Sequence, residues 1–157
     1  MSTFRLVGLE AAAFEPFFAM DAPALAAIGA RRLRADSMPG YPCRISLEDA
    51  GAGEQLLLLP FEHLPARSPY RASGPVYVRA RAQRAVLEPG VVPPYVTRRL
   101  MSVRAYDASD MMLAGEVCEG AEVHATLERL VKDAAVSFIH LHNAKRGCFS
   151  CLVERVG

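Results

Sequence analysis

The 157-residue chain has the length of one ordinary domain, taken here as 1–157. With 52% hydrophobic and 22% charged residues it can bury a core and stay in solution. Eighteen basic against seventeen acidic side chains leave a formal charge of +1, no Trp and 8% aromatics; these argue against a nucleic-acid binder, a disordered polyampholyte and a carbohydrate-stacking platform.

The N-terminus has no charged segment ahead of a long apolar run, so neither a signal peptide nor a spanning helix is expected. Cys43, Cys118, Cys148 and Cys151 then read as reduced thiols, and the expected location is the cytoplasm. Sixteen of the eighteen basic residues are Arg. That bias fits plain surface charge, and it also fits forks that bind carboxylate or phosphate groups.

In chain order, Phe4 to Leu9 predicts a strand, and Phe14, Phe17 and Phe18 a short helix limited by Pro16. Asp21 is placed to cap a second short helix that ends near Gly29. Strands follow at Arg31 to Asp36 and, after the Pro39-Gly-Tyr-Pro42 turn, at Cys43 to Leu47. Gln55 to Phe61 is apolar on both faces, as a central strand would be. Leu64 to Pro75 predicts a loop, Val76 to Arg81 a strand, and Tyr95 to Arg99 one helical turn. Met101 to Asp107 and Met111 to Cys118 form a hairpin around Ala108-Ser-Asp. Ala121 to Asp133 is the one long amphipathic helix, and Val136 to His142 and Cys148 to Val156 close the chain. The fold class is α+β, a mostly antiparallel sheet, strongly bent or barrel-like, with one long late helix and short N-terminal helices. Nucleotide-binding glycine loops and H-E-x-x-H are missing, and no cofactor is assigned.

Four blocks together resemble one bacterial family, the domain of unknown function twelve-oh-three. They are Pro39 to Ala50, Pro69 to Arg79, Leu100 to Asp107, and Ile139-His-Leu-His-Asn-Ala144 with Gly147-Cys-Phe149. The resemblance implies a small bacterial single-domain protein and brings no activity with it.

Chemistry has to come from the residues. His140 and His142, two apart on a strand, project from one face. With Cys148 nearby they suit a thiol–imidazole catalytic pair, a metal site, or hydrogen-bonded polar residues at a strand end. If Asn143 to Gly147 is a five-residue loop, His142 faces Cys148 and His140 faces Ser150. A one-residue slip would pair His142 with Gly147 or Phe149 and send Cys148 to the core face, and a binding module would then replace the catalytic pair. The Cys148-x-x-Cys151 spacing lies on a strand, so Cys151 reads as core rather than as a redox partner. At least two of Arg44, Arg79 and Arg104 are expected to approach one another on one sheet face, all three with Tyr77 and Tyr106 if their strands adjoin, and with Asn143 to hold a small anionic ligand or substrate. His63 and His124 read as exposed. The alternative function is a metal-binding or homodimeric module without catalysis, using a strand edge or the Phe14-Phe17-Phe18 face; nucleic acid and membrane are not expected partners.

Overall fold

The computed structural model describes residues 3–157. Its strands, in chain order, are Thr3–Val7 (β1), Arg31–Arg34 (β2), Pro42–Cys43 (β3), Glu48–Asp49 (β4) and Gln55–Leu64 (β5). Then come Ala72–Arg79 (β6), Leu100–Tyr106 (β7), Met112–Glu119 (β8), Phe138–Asn143 (β9) and Phe149–Val156 (β10). The helices are Glu15–Phe18 (α1), Ala22–Ala27 (α2), Pro94–Thr97 (α3) and Val123–Leu130 (α4).

Two five-stranded sheets result. The first runs β1-β10-β9-β7-β8 and is antiparallel throughout. The second runs β2-β5-β6-β3-β4, with one parallel contact between β3 and β6. Neither sheet closes, which corrects the barrel-like expectation. The strands pair in two separate sets, and the segment between β6 and β7 turns away into α3 instead of continuing the ladder.

Local chemistry explains most element ends. Asp21 accepts a hydrogen bond from Ala24 N at 2.9 Å, Pro23 fits the first turn of α2, and Gly29 beyond it takes φ +76°. The late helix is shorter than the expected Ala121 to Asp133. Gly120–Glu122 forms a tight 3-10 turn before it. Beyond it the Asp133 carboxylate accepts from Ala135 N, a local turn that competes with continued helix. Cys43 to Leu47 is not a strand: after two residues the chain folds into a turn, with Leu47 N donating to Cys43 O and Leu47 at φ +53°.

One core lies between the first sheet and α3 and α4, around Leu6, Met101, Val103, Ile139, Leu141, Leu127 and Cys151. The second lies between the second sheet and α1 and α2, around Leu57, Leu59, Val76 and Val78. Phe14 is buried there, and the partly buried Phe17 and Phe18 pack against it. Phe149 of the first sheet belongs to this second core and ties the two layers together.

Candidate functional site

The hairpin of β9 and β10 separates the residues that alternation had placed together. Its register pairs His142 with Phe149 and Leu141 with Cys151, leaving Ser150 as an extra, bulged residue. The bulge is anchored from outside, since Tyr95 Oη donates to Ser150 O at 3.0 Å. The expected pairs His142–Cys148 and His140–Ser150 are therefore replaced by His142–Phe149 and His140–Leu152. Before the bulge, Asn143 N donates to Cys148 O at 2.9 Å, which sets Cys148 beside Asn143 rather than beside the imidazoles. Gly147 at φ +76° closes the loop, and Gly147 O binds His142 Nδ1 at 3.0 Å.

On the Cys148 side is a cavity of about 510 Å³, walled by the turn around Tyr41 to Arg44, by Tyr77, by the end of α3, and by the β9–β10 loop. Arg44 dominates it. The turn after β3 points this side chain inward, so it is only 1% exposed. Its Nε donates to Phe149 O and its Nη1 to Pro42 O, both at 2.8 Å, and Nη2 lies 3.1 Å from Cys148 Sγ. Among the described residues no carboxylate lies within ion-pair distance of it. A buried charge is normally paired, because leaving water costs several kcal/mol, so this guanidinium lacks a counter-charge.

Arg98 and Arg99 reach the same cavity from the end of α3. Both bind Asp49, whose side chain is wholly buried: Arg98 Nη1 and Arg99 Nη1 each lie 3.1 Å from Oδ2, and Arg99 Nη2 meets Oδ1. Lys145 and Arg146 complete the wall from the hairpin loop, and Asp36 stands at the rim, where it accepts from Tyr41 Oη at 3.0 Å. Five cations thus face one rim carboxylate and one buried carboxylate that two of them share. Asn143 sends its amide toward Cys148 Sγ at 3.7 Å, and its Oδ1 is buried without a hydrogen-bond partner.

The histidines form a separate cluster on the other face. His63, from the end of β5, stacks on Phe149 with centroids 5.2 Å apart, and lies 5.0 Å from His142 and 6.0 Å from His140. It is half-buried between the sheets, not exposed as its position at a strand end suggested. His140 and His142 are 4% and 1% exposed. Burial lowers the pKa of His140 to about 3, helped by His142, His63 and Arg104, and that of His142 to about 4. Burial, then Arg104, also lowers His63. One nitrogen of each ring, His63 Nδ1, His140 Nδ1 and His142 Nε2, is buried with no partner. Among the described residues no group of three or more His, Cys, Asp or Glu is arranged to hold a metal ion.

The three expected arginines do not share a face. Arg104 pairs across β7 and β9 with His140 and donates to Ser102 Oγ at 3.2 Å. Arg79 lies near Glu48 and Glu54 at 3.6 and 3.5 Å. The reason is topological: Arg79 and Arg104 belong to different sheets, and Arg44 lies on a turn where strand alternation does not apply. Cys151 is core, its thiol pushed up to about 12 by burial. The structure therefore gathers Arg44, Asn143 and Cys148 at one site, and His140, His142 and Arg104 at another. Sequence reasoning does not reach Arg98, Arg99, Lys145 and Arg146; their only signal is two adjacent cation pairs, one ending the Tyr95 to Arg99 helical turn and one in the Asn143 to Gly147 loop.

The fold and site define a two-sheet α+β domain with a cationic cavity at one end of its C-terminal hairpin. Residues 40–155 match the family described as Protein of unknown function (DUF1203), and the chain belongs to that family. No curated protein and no solved structure matches it. No helix among the described residues is long and apolar enough to cross a membrane.

Proposed function

We propose that this protein binds a small anionic molecule, a carboxylate or phosphate compound, in the cavity beneath the C-terminal hairpin. The observation that carries this reading is Arg44, a buried guanidinium on the cavity wall without a carboxylate partner. A ligand anion would supply the missing counter-charge, and its hydrogen bonds would be made where water competes least. Arg98 and Arg99 are held by Asp49 with donors to spare, and Asn143 can turn a donor or an acceptor to the ligand. The arginines of this chain are then used as forks at a site and not only as surface charge.

Isothermal calorimetry with inorganic phosphate and with citrate tests the reading. The wild-type protein is expected to bind one of them saturably. The double variant Lys145→Ala/Arg146→Ala, altered only in an exposed loop, is expected to bind roughly tenfold more weakly, the effect of losing about 1.4 kcal/mol of charged contacts. No saturable binding, or binding unchanged in the variant, would remove the proposal.

A further inference from the structure

We infer that Cys148 is a site of covalent modification by small disulfides that carry carboxylates, the cationic cavity holding the carboxylates while the sulfur reacts. The inference rests on the anion-binding reading above and adds a reaction and a ligand class to it.

Three observations converge on this sulfur. It is partly exposed on the wall of a 510 Å³ cavity, a volume within the roughly 300–1,000 Å³ usual for small-molecule sites. Its protein partners at the site are donors: Arg44 Nη2 at 3.1 Å and Asn143 Nδ2 at 3.7 Å. Beside it the Arg44 guanidinium, buried and without a carboxylate partner among the described residues, is left to pair with an anionic group of the incoming molecule.

The other thiols are poorly placed for this chemistry. Cys43 is fully buried and accepts from Arg79 N at 3.2 Å, Cys118 lies on β8 near the Thr126 hydroxyl, and Cys151 is in the core beyond the bulge. None of them lines the cavity, so a mixed disulfide at Cys148 has no second protein thiol at hand to displace it.

The step balances as a thiol–disulfide exchange. The Cys148 sulfur, its proton given to solvent, attacks one sulfur of the small disulfide, and a new S–S bond forms as the old one breaks. The departing half leaves as a thiolate and takes up a proton. Cys148 is oxidised, that half of the reagent is reduced, and a second thiol from solution reverses the reaction. The cavity selects by charge: its excess of Arg and Lys over Asp concentrates a reagent of net negative charge and repels one of net positive charge.

Oxidised glutathione, which carries carboxylates, and cystamine, a small cationic disulfide, make the test. Intact-mass and peptide mass spectrometry follow the reduced protein over time, with both rates normalised to a free small thiol. The expected result is one glutathionyl group, located on Cys148 and lost in Cys148→Ser, with glutathione favoured over cystamine by about tenfold or more. Lys145→Ala/Arg146→Ala should shrink that preference. First modification at Cys43, Cys118 or Cys151, or no preference between the reagents, overturns the inference. Phosphate calorimetry on the same reduced wild-type protein separates the two failures: binding without selective reaction sinks the modification alone, and no binding sinks the pocket itself.

Discussion

Asp49 shows how one buried side chain can serve stability and limit affinity together. Its carboxylate is out of water and paired with Arg98 and Arg99, so its desolvation is offset by charged hydrogen bonds. Asp49→Asn keeps the shape and removes the charge. The expected loss is about 2 kcal/mol in urea denaturation, the size of hydrogen bonds to charged groups, with Arg98 too exposed to push it higher. Affinity for phosphate should move the other way and rise about fivefold, the equivalent of one partly screened charge pair of ~1 kcal/mol. A parallel fall in stability and affinity would mean that Asp49 positions the arginines, and the electrostatic account would go. At this scale the sequence was informative about residue type and poor about company. Arg44 and Asn143 were found, but Arg44 reaches the cavity through a turn and not by strand alternation. Arg98 and Arg99 could not be distinguished from solvated charge, because the carboxylate that orders them lies 49 and 50 residues away.

Between elements, the cavity depends on how closely α3 is held. A side chain on Gly120 would put its Cβ 2.2 Å from Val96 O and 2.6 Å from both Thr97 O and Arg99 O. Only glycine allows the turn before α4 to lie against the end of α3, from which Arg98 and Arg99 extend. Gly120→Ala must push the two apart, at a cost of about 1–3 kcal/mol typical of overpacking. It should also weaken phosphate binding, although Gly120 does not line the cavity. Gly115→Ala, where the nearest neighbour is a methionine sulfur at 3.5 Å, is the control and should leave affinity unchanged. Equal affinities in Gly120→Ala and wild type would show that α3 does not set the arginines. Element identity was mostly legible because it follows from local rules, as the Asp21 cap and the two hairpins illustrate. The register of β9 and β10 was not, since the bulge at Ser150 answers to Tyr95, 55 residues away. That one extra residue decides whether Cys148 meets an imidazole or a guanidinium.

For the molecule as a whole, the layer where the sheets meet is built from imidazoles that have to stay neutral. His63 comes from the second sheet, His140 and His142 from the first, and Phe149 lies among all three. Protonating them in the folded state places positive charge in a desolvated layer that already contains Arg104, which is why His140 and His142 are held near 3 and 4. In the unfolded chain each returns to about 6.5. The folded state therefore binds fewer protons below that value, and the stability contributed by neutral rings is full above pH 6.5. It is lost as pH falls through 6.5 toward 4, by up to about 1.4 kcal/mol per pH unit for each histidine. Urea midpoints should be level between pH 8 and 7 and fall from pH 6.5 to 5. His140→Phe removes one titrating ring while keeping an aromatic among Phe138, Tyr106 and Phe149, so its midpoints should fall less steeply over that interval. Equal slopes in wild type and His140→Phe would show that the histidine layer does not control the acid response.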